Sequence, residues 1–466
     1  MEEGRRVTAV AAGAVVAAVV VLVAACDRPA RVAPGPAPSE RVVSEAPSSS
    51  RSALGDSDWP TYHRDNARTG VAPSFPPPGT LTPAWRAALD GAVYGQPLVI
   101  GDTVYAATER DTVYALAADT GMVRWSAHLG EPMPASQLPC GNIDPLGITS
   151  TMVYDRDTRM VFALAETAGA HHTLFGLDAA TGAVKVTRTA EPPKGEPVAH
   201  QQRSALTLYN GRVYVAYGGL YGDCGHYIGS VVSIPTIGGA PARSYSVPTM
   251  REAGIWSPAG GIVHNGRLLF TVGNGESTSG FDGSDSVIAL DPDLRLIDTF
   301  APGTWADDNH GDLDLGSMTA VVVNGYVFVA GKRGTGYTLR PERLGGIGGE
   351  VAQAMVCRGF GGAAVDNDVA YVPCPDGTRA VRVDAAGRIE VRWRAPVPAA
   401  GSPVLGGGAL WVVDYDGGVL YALDPGTGTV RQQISVGRSP HFASPTLSAG
   451  RVFVGTLAGV TAIRAA

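Results

Sequence analysis

The chain has little charge and few of the residues that mark a nucleic-acid or metal protein. Asp, Glu, Lys and Arg make up only 17% of its 466 residues, and the net charge is -7 with histidine neutral. Lysine is confined to Lys185, Lys194 and Lys332, and no basic stripe forms along the chain. A nucleic acid needs clustered cations to replace its counterions, so it is excluded as a partner. No long stretch of helical period follows the N-terminus, which removes helical bundles. There is no Gly-x-Ser-x-Gly elbow, no His-Glu-x-x-His and no phosphate-binding loop, so hydrolase, zinc-peptidase and nucleotide chemistry have no local signature. His171-His172 follows Gly169-Ala170 on an expected outer turn, too isolated for a metal site. Cysteine is scarce as well, with Cys26, Cys140, Cys224, Cys357 and Cys374 the full set.

Glycine and proline are plentiful, at 61 and 34 residues. They punctuate short apolar runs that repeat as a hairpin, a Leu-Asp or Leu-Ala and a Thr-Gly turn. Two clear copies are Val104-Tyr105-Ala106 to Trp125 and Leu410-Trp411-Val412 to Gly428. A period of roughly 40 to 55 residues built from short strands predicts a β-propeller. Innermost strands are expected to begin near Gln96, Ile148, Ser204, Pro258, Met318, Gly361, Ser402 and Ser444. The fold class is therefore all-β, an eight-bladed propeller of four-stranded antiparallel blades, with seven blades the alternative. The last copy runs out after Val460-Thr461-Ala462-Ile463, and an open ring would expose strand edges. The segment Leu81 to Ala88 reads like the end of a repeat and is expected to supply the missing outer strand.

At the N-terminus, Arg5 and Arg6 precede an uncharged apolar run from Val7 to Ala25, as in an export signal. Its end, Val23-Ala24-Ala25-Cys26, resembles the bacterial lipobox. The organisation expected is a lipoprotein signal peptide at 1–25, a disordered Pro/Ala/Ser tether at 26–56 and the propeller at 57–466. Lipidation of Cys26 would hold the folded part at the outer face of the cytoplasmic membrane. An uncleaved anchor and a plain cleaved signal are the alternatives, and each also places the fold outside the cytoplasm.

An even number of remaining cysteines in an exported chain suggests disulfides, with three pairings open. Propeller topology narrows them. The links between blades and the turn after each second strand share one face. Cys357 precedes the first strand of blade six and Cys374 follows its second, which predicts Cys357–Cys374 and leaves Cys140–Cys224. The irregular polar insertions fall on that same face, where a rigid ring places loops that bind ligands. Candidates for a pocket there are Arg203, Trp256, Asn274, Trp305, Asp308, Asn309, His310, Asp312, Asp314, Lys332, Arg379, Asp414 and His441.

The pattern Tyr-Ala-Leu-x-x-x-Thr-Gly-x-x-x-Trp, spelled by Tyr114 to Trp125, resembles the docking sequence of pyrroloquinoline quinone (PQQ)-type propellers. The lead-in Asp58-Trp59-Pro60-Thr61-Tyr62-His63 is similar to theirs too. The resemblance implies that the tryptophan packs between neighbouring blades. For the quinone dehydrogenases of this type, it implies Trp256 as an aromatic floor and Lys332 as the cation at the quinone carbonyl. It also implies calcium on Asn274, with Asp312 as a second candidate ligand. The best register, however, puts the proton-accepting position on Asn309, an amide. Asp223-Cys224 stands where a glutamate ligand belongs, and the vicinal Cys-Cys is absent. The expectation is therefore a cell-surface binding or scaffold protein for an unknown protein, small-molecule or glycan ligand, expected to be monomeric. The alternative is a PQQ- and calcium-dependent dehydrogenase of alcohols or sugars.

Overall fold

The computed structural model describes residues 54–466. The expected signal peptide, Cys26 and all but the last residues of the tether lie outside them. Eight antiparallel sheets form a ring, each with four strands lettered a to d outward from the axis. Blade 1 comprises Leu98–Ile100, Thr103–Ala107, Thr112–Ala117 and Val123–His128. Blade 8 comprises Thr446–Ser448, Arg451–Thr456 and Gly459–Arg464, and its strand d is the N-terminal Thr82–Ala88, as expected. Among the described residues no helix is long and apolar enough to cross a membrane.

Strands b are buried on both faces because each blade lies between two others; Ala409–Asp414 of blade 7 is buried throughout. Strands d alternate exposed and half-covered side chains, as in Val123–His128, since only one side meets protein. The core is consequently a set of sectors between blades. Tryptophans on strands d staple those sectors. Trp85 Nε1 donates to Ala118 O, Trp125 Nε1 to Ala179 O and Trp393 Nε1 to Pro425 O, each at 3.0–3.1 Å in the next blade. Each indole lies on the turn glycine, Gly121, Gly182 or Gly428. All three have φ of +71 to +74°, and a Cβ there would meet the ring at 2.5–2.6 Å. The packing inferred from the repeat is thus present in three copies.

Strands a begin two to five residues later than expected, at Leu98, Val153, Thr207, Ile262, Val321, Ala364, Val404 and Thr446. The residues before them are links whose polar groups bond across blades; Ser204 Oγ, for example, donates to Ser257 O. Blades 3 and 5, whose sequences depart most from the regular repeat, are complete four-stranded sheets. In blade 5, Gly346–Ile347 leaves to pair in parallel with strand d of blade 4 before Ala352–Met355 completes the sheet.

Innermost strands leave backbone groups unpaired toward the axis, and these need partners. The lead-in from Trp59 to Ala72 supplies them by threading the channel. The middle residue of strand a bonds to it in blade after blade. Val99 and Trp59 exchange two bonds; Tyr154 N donates to Pro60 O, Val263 N to Asn66 O, Val365 N to Thr69 O and Leu405 N to Gly70 O. Asn66 Nδ2 donates to Leu208 O. Arg68, fully buried, donates to Thr61 Oγ1, Tyr62 O, Leu206 O and Thr207 Oγ1. His63 reaches Ser444 of blade 8.

Candidate functional site

Both predicted disulfides are present, Cys140–Cys224 and Cys357–Cys374, with Cα–Cα distances of 6.2 Å each. On their face of the ring lies a cavity of about 380 Å³, lined by Tyr94, Arg203, Asp223, Trp256, Asp312, Asp314, Lys332, Phe360, His441 and Phe442 among others.

Its floor is set by three glycines. A Cβ on Gly218, Gly254 or Gly273 would meet the Trp256 indole at 2.6–2.9 Å, so backbone alone leaves room for that ring. Trp256 Nε1 is buried without a partner. Strand b of blade 4 ends at Val272, and Asn274 follows; its N–H donates to Asp314 Oδ1 at 2.7 Å. Its side-chain Oδ1 is buried and unpartnered. The other oxygen of Asp314 lies 2.6 Å from Lys332 Nζ, which also donates to Asp312 Oδ1 at 2.7 Å. Burial raises the Asp314 carboxyl above its usual range, and Lys332 opposes the rise. Burial works against the Lys332 charge too, but the Asp314 and Asp312 carboxylates outweigh it and hold the ammonium above its ordinary value. Asp223, also lifted by burial, accepts from Tyr227 Oη at 2.6 Å.

The register read from sequence takes the residues around Asn309 as an extended link, and the structure folds them into a short helix. Asn309 belongs to the short helix Trp305–His310, where it accepts from Gly275 N–H and donates to Ser277 O and Ser284 Oγ. Asp314 is the buried one of the two carboxylates beside the cation. The helix absorbs residues that a linear count assigns to the link. Trp256, Asp312, Asp314, Lys332, Arg203 and His441 line one cavity, and Asn274 sits behind Asp314.

The remaining candidates lie elsewhere. Trp305 packs edge-on to Phe281, and Asp308 pairs with Arg333 and Thr304. His310 ends the helix, exposed. Arg379 forks onto Asp376, and Asp414 accepts from Gly417 N–H. Tyr94, Phe360 and Phe442 went unnoticed in the sequence, because a lone aromatic in a link carries no spacing signal.

A second polar region lies between blades 1 and 2. Glu109, Asp111, Glu166 and His172 are all at most 2% exposed. Glu109 Oε2 accepts from Gly147 N–H and Thr149 Oγ1, whereas Glu109 Oε1, Glu166 Oε1 and both Asp111 oxygens have no partner. Burial pushes Glu109 up to about 8 and Asp111 up to about 9. His172 stands on strand c of blade 2 rather than on an outer turn, between Glu166 at 3.4 Å and Glu191 at 3.2 Å.

Among the described residues no group of three or more His, Cys, Asp or Glu is arranged to hold a metal by itself. The orphaned Asn274 Oδ1, on the residue whose N–H holds Asp314, and the Asp223 carboxylate on the cavity lining are nevertheless hard oxygen donors of the kind calcium takes. The glycine-seated indole offers a flat apolar face. These residues fit a planar cofactor with a hard cation, the rest of whose coordination the cofactor would complete.

The family model described as outer membrane protein assembly factor BamB matches residues 79–293 and 346–466. A polyvinylalcohol dehydrogenase from Sphingopyxis sp. (strain 113P3) is 27% identical over 258 residues, 49% of this chain and 36% of that enzyme. The chain thus matches about a third of that relative's length. Quinohemoprotein alcohol dehydrogenase ADHIIG from Pseudomonas putida HK5 superposes with a TM-score of 0.70 at 14% identity, covering 88% of this chain and 80% of that one. BamB from Moraxella catarrhalis gives 0.56 at 16% identity, covering 82% and 99%. At these identities the solved structures speak to the fold alone.

Proposed function

The chain belongs to the PQQ-like propeller family whose model carries the BamB description, and on that premise we propose that its face cavity oxidises hydroxyl compounds as a PQQ-dependent dehydrogenase. This is the alternative reading of the sequence; the likeness to a polyvinylalcohol dehydrogenase favours it over a scaffold role. One observation carries it: Asp314 is clamped between the Lys332 ammonium and the Asn274 N–H on the wall floored by Trp256.

Bound PQQ would supply the two-electron acceptor, and calcium a Lewis acid at its carbonyl. Trp256 would hold the planar ring, while Asn274 Oδ1 and Asp223 would help to hold the cation. Asp314 takes the substrate hydroxyl proton. Its raised pKa brings a carboxylate nearer to the range useful for a general base. Lys332 keeps that carboxylate ionised and orients it through one oxygen, with the Asn274 N–H fixing the other. In this reading the propeller is exported and tethered by lipid on Cys26 at the outer face of the cytoplasmic membrane, working as a monomer.

The test is reconstitution with PQQ and calcium. Quenching of tryptophan fluorescence, followed by reduction of an artificial acceptor when hydroxyl compounds are supplied, is expected. A protein that binds no PQQ under these conditions would falsify the proposal. A binding role is the second reading, favoured by Tyr221, which stands 70% exposed at the cavity rim. It predicts a cross-linked partner that Tyr221→Ala releases.

A further inference from the structure

Two cations line the cavity, and only one of them is met by carboxylates. Lys332 is held by Asp312 and Asp314. Arg203 lines the same wall, yet among the described residues its guanidinium bonds only to main-chain carbonyls. Nη1 lies 3.4 Å from Thr149 O, in the link into blade 2, and Nη2 lies 2.7 Å from His441 O, in the link into blade 8. The head is packed against the Tyr94 and Phe442 rings, 5.6 and 5.3 Å from their centroids. These contacts fix the fork in place without neutralising it, and a guanidinium has five donors.

The surrounding titratable groups leave the charge standing. Glu109 is the acid that acts on Arg203, and it lies behind Thr149. Burial raises it to about 8, so near neutral pH it is protonated. Asp111 and Glu166, which face Glu109, are raised by burial as well. Burial raises Tyr62 and Tyr94 above their ordinary values, which keeps both phenols neutral. His441 is lowered to about 4 by burial and by Arg203 itself, so it adds no charge. A fixed, desolvated, uncompensated fork at a cavity wall is matched by a carboxylate, which it can engage with two parallel hydrogen bonds.

We infer that Arg203 is a carboxylate-recognising residue, and that the substrate of this cavity is a hydroxy acid rather than a neutral alcohol. The choice of a hydroxy acid rests on the oxidation proposed above; the carboxylate site itself does not. PQQ also carries carboxylates, so the experiment separates the two sources.

Titration calorimetry on the full chain, without cofactor, would compare mandelate with benzyl alcohol, and PQQ would be titrated alone. Mandelate is expected to bind about tenfold or more tightly than benzyl alcohol. Arg203→Gln should weaken mandelate by about tenfold and leave benzyl alcohol within about twofold. Arg203→Lys, which keeps the charge and loses the fork, should fall between, and an unchanged melting temperature excludes misfolding. Raising the pH from about 7 to 9 should weaken mandelate as Glu109 ionises and neutralises Arg203, an effect that Glu109→Gln removes. Equal affinity for acid and alcohol, no measurable mandelate binding, or no effect of Arg203→Gln would overturn the assignment. If Arg203→Gln weakens PQQ alone, the carboxylate site stands and the hydroxy-acid substrate falls. If mandelate binds through Arg203 but the reconstituted protein reduces no acceptor, only the oxidation reading falls.

Discussion

In blades 4 and 5, the carboxylates Asp312 and Asp314 share the ammonium of Lys332 beside an open cavity. In blades 1 and 2, Glu109 and Asp111 are sealed from solvent, and three of their four oxygens have no partner. The same functional group therefore ends in two conditions. Where a cation lies within hydrogen-bond reach, burial raises the carboxyl only against opposition, as the proposed proton acceptor requires. Where none does, desolvation wins and the acid keeps its proton near neutrality. His172 shows a third outcome, since flanking Glu166 and Glu191 hold the imidazole up at about 9 despite burial. Burial alone does not assign a role to an acid; the nearest opposite charge does.

The largest break in this comparison should come from Asp314→Asn. The amide keeps the shape and cannot accept the proton, so acceptor reduction by the reconstituted protein should fall at least about a hundredfold, or ~3 kcal/mol. Melting temperature and PQQ binding should stay close to the parent. A variant that retains turnover would transfer the base role elsewhere.

Lys332→Met would make the blade 5 corner resemble the blade 1 interior. Asp314 would then lose its cation and protonate more readily, shifting the activity profile to higher pH. Stability should drop by roughly 2 kcal/mol in urea unfolding, because a buried carboxylate loses its charge-assisted bond. An unchanged midpoint would show that the pair is not the source of compensation.

Glu109→Gln sharpens the contrast from the other side. The folded carboxyl is raised from its ordinary value near 4.5 to about 8, so the native state binds the extra proton. Its contribution to stability is full below about pH 4.5 and is lost as pH rises toward about 8. The parent should therefore lose melting temperature across this window by a shift worth on the order of a few kcal/mol, and the amide variant should lose less. Equal slopes in the two proteins would show that Glu109 already ionises in the fold.

The smallest effect belongs to an exposed pair. Arg124 and Asp102 meet at 2.6 Å on the outer edge of blade 1. Arg124→Ala should cost less than about 1 kcal/mol and less still in high salt, because water and counterions already screen both groups.

These expectations differ in how much of their basis the sequence exposes. The ring was legible because its unit is local: a hairpin, a Thr-Gly turn and a docking tryptophan recur at similar spacing. Closure by Thr82–Ala88 was legible because that strand repeats the same pattern. Both disulfides followed from which ends of the strands share a face. The proposed proton acceptor was not legible, since the helix Trp305–His310 takes up residues that a count along the link treats as extended. The neutrality of Glu109 and Asp111 was not legible either, because Thr108-Glu109-Arg110-Asp111 reads as an ordinary solvated turn and becomes a sealed one only through packing of blade 2. Arg203 was found as a candidate, but its lack of an acidic partner is a fact of three dimensions.

The lead-in from Trp59 to Ala72 threads the hole of the ring and satisfies strand a in most of the blades, with Tyr62, His63 and Arg68 buried there. The hole is thereby occupied by the protein's own backbone, and the cavity lies on the face that carries the disulfides. On the proposed function, reactant and product would exchange on that face, where a small acid could enter whole and a polymer could offer only a loop or an end.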